Sequence, residues 1–200
     1  GMGLAPDGVD AAETKQKREP YLLAVSDIYV QKNLKNLIFA FSRVCTEHPE
    51  LTLKIAGRPV DEEYFSELKQ IISEEKLEGK VEFLGQVNPK NLVGLYRGCK
   101  IFVFPSTVET FGNPLVEAMA CGAPIACSDR AAMPEVVGDA AVFFDPMDLD
   151  SMANVINHLL VDGKQGKELG RNAVKRARMF SWKRTAERTL DVIKEAANPP

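Results

Sequence analysis

Short apolar runs alternate with longer segments of helical period along most of this chain, and that alternation limits the fold more than any other feature. Tyr21–Ser26, Leu51–Ala56, Val81–Leu84, Lys100–Phe104, Pro124–Cys127 and Ala141–Phe144 read as strands. Between the first two, Asn33–Thr46 places Leu34, Leu37, Ile38, Phe41, Val44 and Cys45 on one helical stripe. Asp61–Lys76 does the same with Tyr64, Phe65, Leu68, Ile71 and Ile72. Helical segments are also predicted over 89–99, 113–121 and 134–137, and three more close the chain at about 149–161, 164–178 and 182–196. Strands separated by helices call for right-handed crossovers, so the expected fold is α/β: a doubly wound, mostly parallel six-stranded sheet in a single Rossmann-like domain. Residues 1–20 are polar and read as a linker or flexible arm, 21–180 as the domain and 181–200 as a C-terminal helix.

The composition removes several alternatives. A chain of 200 residues with 45% apolar residues can bury a core. Its formal charge of −3 and pI of 5.6 lack the basic surplus of a nucleic-acid binder, so no such partner is expected. Cys45, Cys99, Cys121 and Cys127 are scattered with no C-x-x-C pair, which points away from zinc and disulfides and toward a reducing, cytoplasmic setting. No apolar run has the length of a membrane span and no signal peptide is visible. Gly1 reads as a vector residue ahead of Met2.

Ligands of such a sheet bind at the carboxyl ends of its strands. No G-x-G-x-x-G or P-loop pattern stands there, so any phosphate must be held another way. The most informative segment runs from Phe104 to Gly122. Pro114 suits a helix start with Asn113 as its cap, and Gly112 allows close approach to the backbone. A helix N-terminus at a strand end attracts anions. Glu109 and Glu117 frame it, one on the loop and one on the helix. Carboxylates beside an anion site suit a sugar phosphate, whose hydroxyls need acceptors while its phosphates need donors. A Glu117 that merely complements the helix dipole and a solvated Glu109 remain the plainer alternative.

With seven residues between Glu109 and Glu117, and with Phe111-Gly112 and Glu117-Ala118-Met119-Ala120-Cys121-Gly122 around them, the segment resembles the E-x(7)-E motif of family 4 glycosyltransferases. These are retaining enzymes of two Rossmann-like domains, the GT-B architecture. The resemblance extends over Val25–Leu34, Gly85–Cys99, Pro124–Pro134 and Asp145-Pro146, and so over nearly all of 21–180. It implies a C-terminal, donor-binding domain that takes a nucleotide diphosphate sugar. Glu117 would then accept from the ribose, while Glu109, the implied catalytic residue, and the backbone of Phe111, Gly112, Asn113 and Pro114 would hold sugar and phosphate. Gly85, Gln86 and Val87 would border the nucleobase. No cofactor or metal is expected. Half a cleft implies an acceptor domain or subunit outside these residues, and a chain inactive by itself. A stand-alone nucleotide-sugar-binding module and a nucleotide-sugar epimerase are the competing readings.

Similar enzymes place an Arg and a Lys five residues apart after the domain's first strand. Lys32, followed by Asn33, matches the Lys, but Asp27 occupies the Arg position. An unpaired Asp beside a diphosphate would repel it. Arg58 and Arg130, each on a strand-end loop, are candidates for the missing charge. Asp148-Leu149-Asp150 has a metal-binding D-x-D form but precedes a helix, so a capping role is expected. His48 and His158 read as structural or exposed. Arg171, Lys175, Arg176, Arg178, Lys183, Arg184 and Arg188 form a basic stretch, read as a solvated face or a peripheral membrane contact.

Overall fold

The computed structural model describes residues 18–197. Among them, β1 (Tyr21–Val25), β2 (Thr52–Ala56), β3 (Val81–Gly85), β4 (Ile101–Phe104), β5 (Ile125–Ser128) and β6 (Val142–Phe144) form one six-stranded sheet in the order β3-β2-β1-β4-β5-β6. Every neighbouring pair is parallel. The order reverses between β1 and β4, which opens a crevice at their carboxyl ends.

Alternation within each strand sorts side chains to the two faces. In β1, Leu22 and Ala24 join one core with α1 (Leu34–Glu47), α2 (Glu62–Glu74) and α6 (Leu149–Val161). Tyr21 and Leu23 join the other, with α3 (Pro89–Gly98), α4 (Asn113–Ala120), α5 (Met133–Val137) and α7 (Gly163–Ala177). Both faces being covered, the central strand β4 is buried at all four positions. Truncating a fully buried ring such as Phe41 to Ala should cost roughly 3–5 kcal/mol.

Boundaries fall within a residue or two of those expected. One expectation fails at α4. Asn113 is not its cap but its first residue, and Gly112 occupies the cap position with φ +83°. A left-handed cap suits glycine and leaves no side chain to bond the first turn. The last residues of the expected arm are also tied to the body: Arg18 donates to Cys99 O at 2.9 Å and Gly122 O at 2.7 Å, and Glu19 N to Gly98 O at 2.8 Å. The remainder of the arm lies outside the described residues. The C-terminal helix α8 (Trp182–Ala197) buries none of its residues.

Candidate functional site

The loops after β1 and β4 meet across the crevice. Thr107 N donates to Gln31 O at 3.0 Å, and buried Asn33 donates through Nδ2 to Pro105 O at 3.1 Å and to Pro146 O at 2.8 Å. Asn33 holds a left-handed conformation (φ +55°) between a short 3-10 turn, Val30–Lys32, and α1. The Lys-Asn pair thus divides its work: Asn33 staples three loops together and Lys32 faces the crevice. Lys32 is the last residue of the 3-10 turn, immediately before Asn33, which caps α1.

Lys32 Nζ bonds Glu109 Oε1 at 2.5 Å, and the two side chains are only 12% and 13% exposed. The Tyr29 ring lies 5.1 Å from the ammonium. Burial by itself would lower the lysine pKa, but its bonds to Glu109 and Tyr29 outweigh burial and hold it above the ordinary value. Two residues expected to serve separate parts of a ligand therefore pair with one another.

Glu117 lies deeper. Burial raises its pKa, partly offset by a hydrogen bond donated by Tyr96 Oη at 3.1 Å. Tyr96 is itself buried, with its phenol pushed well up by desolvation first and by the Glu117 charge second. Sequence reasoning missed Tyr96; the signal was a tyrosine among the apolar positions of α3, whose hydroxyl needs a partner once buried.

Phe111 stacks edge-on with Phe180, 5.6 Å between centroids, beside a cavity of about 380 Å³ bordered by α5, α7 and α8. The start of α4 offers fewer donors than its pattern implies. Pro114 has no N–H, and Leu115 N already bonds Gly112 O at 2.9 Å.

At the ends of β1, β2 and β3, Gln86 and Val87 line a cavity of about 130 Å³ with Val25, Ser26, Asp27, Ala56, Gly57 and Leu92. Gly85 adjoins it at φ +63° and accepts from Gly57 N at 2.8 Å. Asp27 is not unpaired. Its carboxylate takes the backbone N–H of Arg58 at 3.0 Å, Nε at 3.4 Å and Nη2 at 2.8 Å. Arg58 holds the Asp27 carboxyl below its usual range, with Lys32 a lesser contributor. Arg130 is engaged elsewhere, with Asp129 at 3.1 Å and Asp145 at 2.9 Å.

The remaining sequence candidates settle into structural roles. Asp148 caps α6 through Asp150 N at 2.9 Å and Ser151 N at 3.1 Å, and Asp150 pairs with Arg43. His158 is exposed, whereas His48 is half-buried with a buried Nε2 that has no hydrogen-bond partner. Among the described residues, no helix is long and apolar enough to cross a membrane.

A doubly wound sheet with charged loops gathered at its switch point defines a Rossmann-like ligand-binding unit. The chain belongs to the glycosyl transferases group 1 family, whose pattern it matches over residues 9–176. It is 32% identical over 178 residues to the O-antigen chain mannosyltransferase B of Escherichia coli, covering 87% of this chain and 45% of that protein. With sucrose-phosphate synthase of Spinacia oleracea it shares 32% identity over 180 residues, 82% of this chain and 17% of that one. Among solved structures, HepE of Anabaena in complex with UDP and glucose superposes with a TM-score of 0.82 at 25% identity, over 89% of this chain and 49% of that one. The fold is thus the Rossmann-like unit of GT-B glycosyltransferases, and the chain spans less than half the length of these relatives.

Proposed function

We propose that this chain is the donor-binding domain of a retaining glycosyltransferase of family 4 that moves a sugar from a nucleotide diphosphate to an acceptor. The observation that carries the reading is the pair of carboxylates on the segment that follows β4 at the switch point, Glu109 held by Lys32 and Glu117 by Tyr96. Their surroundings differ in a way that suits two parts of one ligand. Glu117, half-buried on α4 against Tyr96, presents an acceptor to a ribose diol. Glu109 is released to the transferring sugar when the diphosphate takes Lys32. The slot at Gln86 and Val87 accepts the base, and the backbone of Phe111, Gly112, Asn113 and Pro114 closes around sugar and phosphate. Lys32 then stabilises the diphosphate as the glycosidic bond breaks.

The donor is held without a divalent ion in this proposal, because the aspartates of the D-x-D segment are engaged in a helix cap and an ion pair. The acceptor site belongs to a second domain or subunit. Orienting two reactants and excluding water takes both walls of a cleft, so the chain alone binds donor and transfers nothing. The four cysteines are all unpaired, which suits the cytoplasm in which we place it. Contact with a membrane surface through exposed Lys183, Arg184 and Arg188 belongs to the same proposal.

The test is calorimetry on the purified chain with UDP-, GDP- and ADP-sugars, with and without chelator, followed by incubation of labelled donor with candidate acceptors. Binding of one donor, unchanged by chelator and without transfer, supports the reading. Absence of binding to all three classes, or transfer without an added subunit, overturns it in whole or in its domain part.

A further inference from the structure

Four charged side chains surround the β1 side of the crevice: Asp27, Arg58, Lys32 and Glu109. Two carboxylates and two cations sum to zero. Without Arg58 the same rim would hold two carboxylates against one ammonium, which is a poor place for a further anion. Arg58 is therefore what makes a diphosphate electrostatically tolerable beside Asp27.

The backbone around the pair is fixed. Ile28 and Pro59 form a parallel bridge beyond the ends of β1 and β2, with Ile28 N on Arg58 O at 2.8 Å. Gly57 passes so close to Ser26 that a Cβ there would lie 1.8 Å from Ser26 O. Asp27 and Gly57 both line the 130 Å³ slot, and Arg58 is next in the chain to Gly57 and bound to Asp27. A guanidinium has five N–H donors in a rigid fork. Nε and one Nη2 hydrogen go to Asp27, and no other described group takes the rest. The side chain is 59% exposed, so those donors reach solvent. Arg130 has no comparable freedom, since two carboxylates hold it.

We infer that Arg58, oriented by Asp27, is the second cation of the diphosphate site, acting beside Lys32. The inference rests on the donor-binding reading above. Asp27 in this arrangement serves as a support that aims the fork, rather than as a repulsive intruder.

The experiment is calorimetry on the full chain with UDP, GDP and ADP and with the matching nucleosides. Arg58→Ala and the polar, uncharged Arg58→Gln should each lower affinity for the bound diphosphate roughly three- to tenfold and leave the nucleoside unchanged, as expected for an exposed charged contact. Arg130→Ala should change neither. Diphosphate affinity equal to the parent's in both Arg58 variants, or an equal loss for diphosphate and nucleoside, overturns the inference while leaving the donor site standing. A parent chain that binds none of the three diphosphates overturns the donor reading itself, and this inference with it.

Discussion

The two walls of the crevice are built on different principles. The β4–α4 wall is short-range: a loop, a glycine cap and a helix place Glu109 and Glu117 within one segment, and the chain order alone brings them together. The β1–β2 wall is long-range. Asp27 and Arg58 come from the loops after separate strands, and their pairing depends on Gly57 passing against Ser26 and on the Ile28–Pro59 bridge. A segment that carries its own geometry tolerates change at one glycine, whereas a junction between strands does not.

Substituting the glycine of each wall exposes that difference most strongly. Gly57→Ala drives a Cβ into backbone at 1.8 Å and should destabilise the fold by about 3 kcal/mol. Gly112→Ala meets side-chain atoms rather than backbone, Leu115 Cδ1 at 3.1 Å and Phe104 Cε1 at 3.4 Å, so it should cost about 1–2 kcal/mol, mostly for its left-handed backbone. Urea unfolding of both variants checks the order, and equal losses would erase the distinction between the walls.

Within the β4–α4 wall, Glu117→Ala should weaken nucleotide binding by about 1.5–3 kcal/mol, the size of a hydrogen bond to a charged group. Calorimetry with unchanged affinity would remove Glu117 from the ribose. The same residue sets a pH dependence. Its folded pKa is raised, so it protonates at a higher pH than an ordinary carboxylate and loses its role as a pure acceptor there. Nucleotide affinity should therefore fall as pH drops through that window, while Glu117→Gln should be flat across it. Asp27 is shifted the opposite way by Arg58, so the β1–β2 wall stays ionised throughout.

Lys32 joins the two walls, and Lys32→Ala should reduce diphosphate affinity by about 1–2 kcal/mol while sparing the nucleoside. An equal loss for both ligands would place Lys32 outside the phosphate site. The smallest effect belongs to neither wall. Removing residues 182–200 deletes α8, which buries no residue, so thermal unfolding of the truncated chain should shift by about 0.5 kcal/mol or less.

Much of the fold was legible because strand and helix periods are local properties of the chain. The order of alternation, the helix at Asn113 and the E-x(7)-E spacing all lie within short windows, and the resemblance of that spacing to glycosyltransferases leads to the family the chain belongs to. Glu109, Glu117 and Lys32 were visible for the same reason. Their partners were not. That Lys32 meets Glu109 across 77 residues, Tyr96 meets Glu117 across 21 and Arg58 meets Asp27 across 31 depends on which strands become neighbours.

By itself, the sequence determined a doubly wound parallel sheet, because apolar residues must be buried at the period of the element that carries them. It also determined which charged residues stand at strand ends. Only the tertiary structure decided their states. Lys32 is neutralised by Glu109, Asp27 is answered by Arg58, and the donors at the start of α4 are thinned by Pro114 and Leu115. The reason is that a side chain's charge is fixed by its residue type, but its field, solvation and partner are properties of the neighbours that folding brings within a few ångströms.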